Sequence, residues 1–199
     1  MKNIGLIGCG NIAETYFRSQ DYFNNINFIA CSDKFPEAAK KCAEQYKIKS
    51  LTVDEILNDS DVDVILNLTI PQAHYEISKL ALESGKHVYS EKPMSIKYDE
   101  AKELVELANK KNLYIGNAPD TFLGGGGQEA RKFIDKDEIG QVLTGNFIFA
   151  FPGVQEFHPN PESWFQSGGG PVIDMGPYFF TTLVNLLGPA KNVRSRGKK

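Results

Sequence analysis

The stretch Gly8-Cys9-Gly10-Asn11-Ile12-Ala13 has the residue types and spacing of a loop that cradles a phosphate. A glycine first permits a tight turn, a second lets backbone approach an anion, and a small Ala13 keeps the next helix close to the preceding strand. The N-terminus of that helix adds N–H groups and the positive end of its dipole. Alone, the pattern is also that of a glycine-rich turn with no ligand. Its context is more telling: the apolar run Asn3 to Ile7 stops at Gly8, helical spacing follows from Ile12, and Asp33 ends the next strand about 20 residues on. A carboxylate there can accept hydrogen bonds from both adenosine ribose hydroxyls and repels a 2′-phosphate, which favours NAD over NADP. The adjacent Lys34 offsets part of that repulsion. Capping of the following helix is a second use for Asp33, compatible with the first.

The elements that must position these residues alternate along the first half of the chain. Short apolar runs, Asn3 to Ile7, Phe28 to Cys31, Val62 to Leu68, His87 to Tyr89 and Leu113 to Ile115, read as buried parallel strands. Between them, Ile12 to Phe23, Pro36 to Tyr46, Val53 to Leu57, Gln72 to Glu83 and Asp99 to Lys111 read as helices, with Gly85 capping the fourth. The expected fold class is α/β, an N-terminal doubly wound parallel sheet of Rossmann type. The pattern changes near residue 120. Gln128 to Asp135 reads as a helix, Val142 to Phe151 as an unusually long strand, Pro152 to Pro171 as a loop, and Met175 to Leu187 as a helix. The expectation is a dinucleotide-binding domain over 1–119 and a partial C-terminal α/β substrate and oligomerisation domain over 120–199. That second domain would be an incomplete α+β unit on a mainly antiparallel sheet, truncated or completed by another chain, since one strand is no stable sheet.

Composition removes several function classes. The 199 residues carry a formal charge of −3, so no basic field is available for nucleic acid or an anionic membrane. No apolar run approaches the ~20 residues that span a bilayer. The three cysteines, Cys9, Cys31 and Cys42, form no CxxC pair and read as buried free thiols of a reducing compartment. No signal segment is expected before Met1, and the expected location is the cytoplasm. No His, Cys or Asp cluster has metal-ligand spacing, so no metal is expected. Asn67-Leu68-Thr69 matches a glycosylation sequon but lies in an apolar stretch and reads as chance. Gly124 to Gly127 lacks the Lys-Ser/Thr of a triphosphate loop and reads as a flexible helix entry.

Further motifs follow in order: Thr69-Ile70-Pro71-Gln72-Ala73-His74, Gly85-Lys86-His87-Val88-Tyr89-Ser90-Glu91-Lys92-Pro93, Ile139-Gly140, Gly168-Gly169-Gly170-Pro171 and Asp174-Met175-Gly176-Pro177-Tyr178. With the glycine loop, these resemble the glucose-fructose oxidoreductase/inositol dehydrogenase family over essentially the whole chain. The resemblance implies oxidation or reduction of a hydroxyl or carbonyl carbon of sugars, inositols and related polyols. It carries the lysine of the Glu-Lys-Pro motif onto Lys92, near the reacting hydroxyl and the nicotinamide ribose, with an often-cis bond to Pro93. A cation there stabilises developing alkoxide. The family's Asp-x-Gly-x-His motif is matched at Asp174 but has Tyr178 at the histidine position. Tyrosine, with an ordinary pKa of about 10, needs a nearby cation such as Lys92 to act as a base; Tyr178 is equally well a packing residue.

The resulting expectation is an NAD-dependent dehydrogenase acting on a sugar or polyol. Gly8, Gly10, Asn11, Ile12, Asp33, Thr69, Pro71, His74, Glu91 and Lys92 would contact the cofactor. Lys92, Asp174 and Tyr178 would serve catalysis, and Lys92, His158 and Asp174 would contact substrate. His74, at the C-terminal edge of the sheet, touches the cofactor or its loop, or is structural; His87 reads as structural. Phe147, Phe149 and Phe151 alternate along one face, as core or as the interface through which family members commonly pair into homo-oligomers. A nicotinamide-binding sensor or scaffold without turnover, or an inactive fragment, is the rival reading.

Overall fold

The computed structural model describes residues 1–150, 152–156, 161–165 and 169–197. Packing divides the chain into two compact units, Met1–Ala118 and Pro119–Lys199.

The first unit is a six-stranded parallel sheet made of β1 (Lys2–Ile7), β2 (Ile26–Ser32), β3 (Lys49–Ser50), β4 (Val64–Asn67), β5 (His87–Ser90) and β6 (Ile115–Asn117). Strand order is β3-β2-β1-β4-β5-β6. The order reverses between β1 and β4, the point at which doubly wound sheets open a crevice beyond their carboxyl ends. Helices α1 (Ala13–Ser19), α2 (Pro36–Tyr46), α3 (Val53–Asn58), α4 (Pro71–Glu83) and α5 (Tyr98–Lys111) connect them. Two apolar clusters hold the unit together. One gathers Ile56, Ile65, Leu82 and Leu104; the other gathers Leu6, Phe17, Phe28, Cys31 and Leu66. Both-face burial explains why the strands read as continuous apolar runs rather than alternating ones.

Local chemistry sets the boundaries. Pro36 and Pro71 open α2 and α4, where a missing N–H is harmless. Thr52 and Glu55 form a reciprocal capping box on α3. Lys47 and Asn112 close α2 and α5 in the left-handed conformation, and Gly85 follows α4 at φ 79°. The first helix is shorter than its apolar spacing predicts, ending at Ser19 rather than Phe23. Strand β3 is a two-residue edge paired to Ala30 and Cys31, too short to leave a sequence pattern.

The second unit holds α6 (Gly125–Asp135), α7 (Pro171–Asp174) and α8 (Gly176–Leu187), with short 3₁₀ turns at Thr121–Leu123, Val154–Glu156 and Pro161–Phe165. The glycines at 125–127 form the first turn of α6 rather than a flexible entry. The expected long strand is not assigned: among the described residues, none from 142 to 150 belongs to a strand, and no antiparallel ladder is present. An extended segment without a partner makes no ladder hydrogen bonds. The segment instead lies against helices. Phe147 and Phe149 both pack on Phe179 of α8, with ring centroids 5.0 and 5.2 Å apart, so the alternation does put them on one face. The Arg131 guanidinium ties α6 to α8 by donating to the carbonyls of Asn185 and Leu186. Phe151, His158 and Gly168 lie outside the described residues.

Candidate functional site: the carboxyl edge of the parallel sheet

Strand register builds the site. Ser32, Ile7, Asn67, Ser90 and Asn117 stand side by side across β2, β1, β4, β5 and β6. The residues after them leave the sheet along one edge: Asp33, Gly8, Leu68-Thr69 and Glu91. Four segments far apart in sequence thus become neighbours.

The glycine loop is fixed at its start and open at its tip. Gly8 is buried at φ 104°, and a Cβ placed on it would sit 2.5 Å from the Leu68 carbonyl oxygen and 2.8 Å from the Thr69 nitrogen. Only glycine lets β1 turn this close to the exit of β4. The Gly8 N–H donates to the Ser32 carbonyl at 2.8 Å. Around Gly10 there is nothing within 4 Å of an added Cβ, and Gly10, Asn11 and Ile12 are exposed. That is the cradle a pyrophosphate needs: a backbone surface with clear space over it. The alternation of packed and open glycine therefore fits a dinucleotide at this edge.

Asp33 is held in place by two backbone donors. The Cys9 N–H donates to its Oδ2 at 2.7 Å and the Phe35 N–H to its Oδ1 at 2.8 Å. The first bond joins the acid to the glycine loop and the second shapes the turn into α2. Each carboxylate oxygen keeps lone-pair capacity for ribose hydroxyls.

The loop after β4 is organised by a residue that sequence reasoning treated as incidental. Asn67 is fully buried; its Nδ2 donates to the His74 carbonyl and to Ser78 Oγ, both at 3.0 Å. Its Oδ1 accepts from Thr69 Oγ1 at 2.7 Å and from the Thr69 N–H at 3.3 Å. An asparagine ending an otherwise apolar strand was the available signal, since a buried amide must find partners. His74 is itself buried. Its Nδ1 lies 2.6 Å from the Pro93 carbonyl oxygen and its Nε2 2.9 Å from that of Thr69. The ring therefore stitches the β4 loop, with Thr69 and Pro71, to the Glu-Lys-Pro segment after β5.

That segment has its own supports. The Lys92-Pro93 bond is cis. Glu91 accepts from Tyr16 Oη at 2.7 Å and, through its other oxygen, from the Lys92 N–H at 3.0 Å. Asn117 Nδ2 donates to the carbonyls of Ser90 and Glu91 at 3.0 and 2.8 Å. Tyr16 and Asn117 escaped sequence reasoning because their partners come from other elements. His87 takes the structural part expected of it: its Nδ1 accepts from the Tyr114 N–H at 3.0 Å.

In the second unit, Asp174 ends α7 and Tyr178 lies in the first turn of α8, both half-buried. The Asp174 N–H donates to the Gly170 carbonyl at 2.9 Å and the Tyr178 N–H to that of Met175 at 3.2 Å. Lys92 belongs to the first unit, and His158 lies outside the described residues.

A thiol cluster adjoins the glycine loop. The Sγ atoms of Cys9, Cys31 and Cys42 lie within 4.8 Å of one another. Hydrogen bonding with Cys31, then with Cys42, and burial push the Cys9 thiol up. Hydrogen bonding with Cys42 and burial likewise raise Cys31, whereas the Cys31 and Cys9 thiols hold Cys42 below the usual thiol range.

Known proteins share this architecture. The model of an oxidoreductase family with an NAD-binding Rossmann fold matches residues 2–118, and the C-terminal domain model of the same Gfo/Idh/MocA group matches 128–199. An uncharacterised oxidoreductase of Schizosaccharomyces pombe is 32% identical over 72% of this chain and 39% of its own length. The D-xylose dehydrogenase of Paenarthrobacter nicotinovorans is 27% identical over 79% of this chain and 42% of its own. The chain thus spans about two-fifths of the length of these relatives. The WlbA dehydrogenase of Bordetella pertussis, solved with NADH and UDP-GlcNAcA, superposes with a TM-score of 0.83 at 20% identity, over 95% of this chain and 59% of that one. The chain belongs to the Gfo/Idh/MocA oxidoreductase family, and its first unit carries that family's NAD(P)-binding fold.

Proposed function

We propose that this chain binds NAD in preference to NADP and serves an oxidoreductase acting on a hydroxyl or carbonyl carbon of a sugar or polyol. The observation that carries the reading is the shape of the glycine loop. It is packed at Gly8, open at Gly10, and hydrogen-bonded through Cys9 to Asp33. Asp33 stands where an adenosine ribose would present its hydroxyls, and its charge disfavours a 2′-phosphate. The relatives support the substrate class: one is a D-xylose dehydrogenase, and a structural neighbour was solved with NADH and a nucleotide sugar.

The bound nicotinamide supplies the hydride chemistry; the chain supplies placement and electrostatics. Lys92 polarises the substrate oxygen and stabilises charge developing on it. Glu91, tied to Tyr16, and Pro93, tied to His74, fix the backbone on either side of Lys92. On the family motif alone, Asp174 is assigned to orienting the substrate and Tyr178 to relaying the hydroxyl proton. His158 is assigned to the substrate side on sequence grounds alone. The second unit takes part in substrate contact and in pairing of subunits.

Calorimetric titration with NADH and, separately, NADPH tests the cofactor reading. NADH should bind at least tenfold more tightly, about 1.4 kcal/mol. Equal affinities would refute the role of Asp33, and no binding of either would refute the site. Turnover across a panel of sugars and inositols tests the chemistry. Tight NADH binding without turnover would refute hydride transfer by this chain and favour a sensor or scaffold.

A further inference from the structure

All three cysteines of the chain converge, although they come from three different elements. Cys9 stands in the glycine loop after β1, Cys31 on β2 and Cys42 on α2. We propose that Cys9, Cys31 and Cys42 form a binding site for one divalent thiophilic ion of zinc or cadmium type, held by three thiolates.

Geometry and chemistry agree on the ligand. Metal–sulfur bonds of about 2.3 Å place three thiolates around one zinc about 3.8–4.0 Å apart. The three sulfurs already lie within 4.8 Å of one another, so side-chain rotations suffice to close on an ion. An all-sulfur donor set selects soft metals over magnesium or calcium. Cys31 and Cys42 are buried in the apolar cluster that holds Phe17, Phe28 and Leu66, while Cys9 is only half-buried. The ion therefore enters from the Cys9 side, where a water can take a fourth position.

Binding balances without an oxidant. Three S–H bonds give their protons to solvent, three metal–sulfur bonds form, and a divalent ion leaves one net negative charge. Besides the hydrogen bonds among the three thiols, the contacts surrendered are Cys9 Sγ to the Ser32 carbonyl at 3.5 Å and Cys31 Sγ to that of Ala39 at 3.4 Å. A disulfide would use two of these sulfurs and leave the third without a role. An ion uses all three, and it bonds the glycine loop to β2 and α2.

The test is titration of the fully reduced protein with Cd²⁺ in the absence of oxygen. The expected results are saturation at one ion per chain, an ultraviolet thiolate-to-metal charge-transfer band, and a melting temperature that rises with free ion. Cys31→Ser and Cys42→Ser should each weaken binding at least tenfold. Because both substitutions alter buried core positions, X-ray absorption on the native protein counts ligands independently of the variants, and three sulfur neighbours are expected. Absence of saturable binding, a shell of oxygen neighbours, or undiminished affinity in both folded variants would each overturn the proposal.

Discussion

Adding one methyl group to each of two glycines in the same loop should produce opposite outcomes. In Gly8→Ala the new Cβ meets backbone, 2.5 Å from the Leu68 oxygen and 2.8 Å from the Thr69 nitrogen, at φ 104°. Neither obstacle is a flexible side-chain end that could swing away. The backbone conformation costs about 1–3 kcal/mol for a residue with a Cβ, and overpacking adds about 1–3 kcal/mol. A loss near 3 kcal/mol is therefore a modest expectation, and corresponds to a fall in melting temperature of about 10 °C or more for a unit of this size. In Gly10→Ala the Cβ meets nothing within 4 Å, and Gly10 is not among the positive-φ glycines. Its stability should stay within about 0.5 kcal/mol of the parent, the usual range for a surface change. Its NADH affinity should fall at least tenfold, because the methyl occupies the space the pyrophosphate needs. Differential scanning calorimetry and NADH titration on both variants read the contrast. A Gly8→Ala chain that melts like the parent would refute the packing of the loop on β4. A Gly10→Ala chain with parental affinity would refute the cradle.

Asp33→Asn can keep only one of the two backbone contacts, because its single amide oxygen accepts while its NH2 faces the other N–H donor, and it loses the charge that repels a 2′-phosphate. Titration should show NADH binding weakened and the ratio of NADH to NADPH affinity reduced at least tenfold. His74→Phe leaves the carbonyls of Thr69 and Pro93 without ring partners in a buried place, at a cost of about 2–4 kcal/mol in urea unfolding. NADH affinity should fall with it, since the loops on both sides of the cofactor edge lose their tie. Asp63 is held below the usual carboxylate range, first by the Asn3 N–H and then by the Lys2 ammonium. A carboxylate lowered in the folded state contributes stability that is present above its ordinary value and lost as pH falls through the folded one. Acid unfolding should therefore steepen below the ordinary carboxylate range, and Asp63→Asn should flatten that part of the profile.

The sequence alone determined the alternating frame of the first unit, the glycine loop and the acid that ends β2. Those signals are local: a turn needs its glycine at one position, a helix its proline at N1, and a doubly buried strand its unbroken apolar run. The family followed from motifs whose order along the chain is itself sequence information. Where an outcome depends on a partner, the sequence was insufficient. Val142 to Phe151 has the composition of a long strand, yet a strand is defined by its neighbour, and the described part of that segment packs on α8 instead. Asn67 read as a chance sequon because nothing local shows that its amide will meet Thr69, His74 and Ser78. Cys9, Cys31 and Cys42 have no metal-ligand spacing along the chain, and only the parallel register of β1 and β2 with α2 packed over them brings their sulfurs together. Local conformational preference is written residue by residue, whereas convergence of distant side chains is decided by the sheet that carries them.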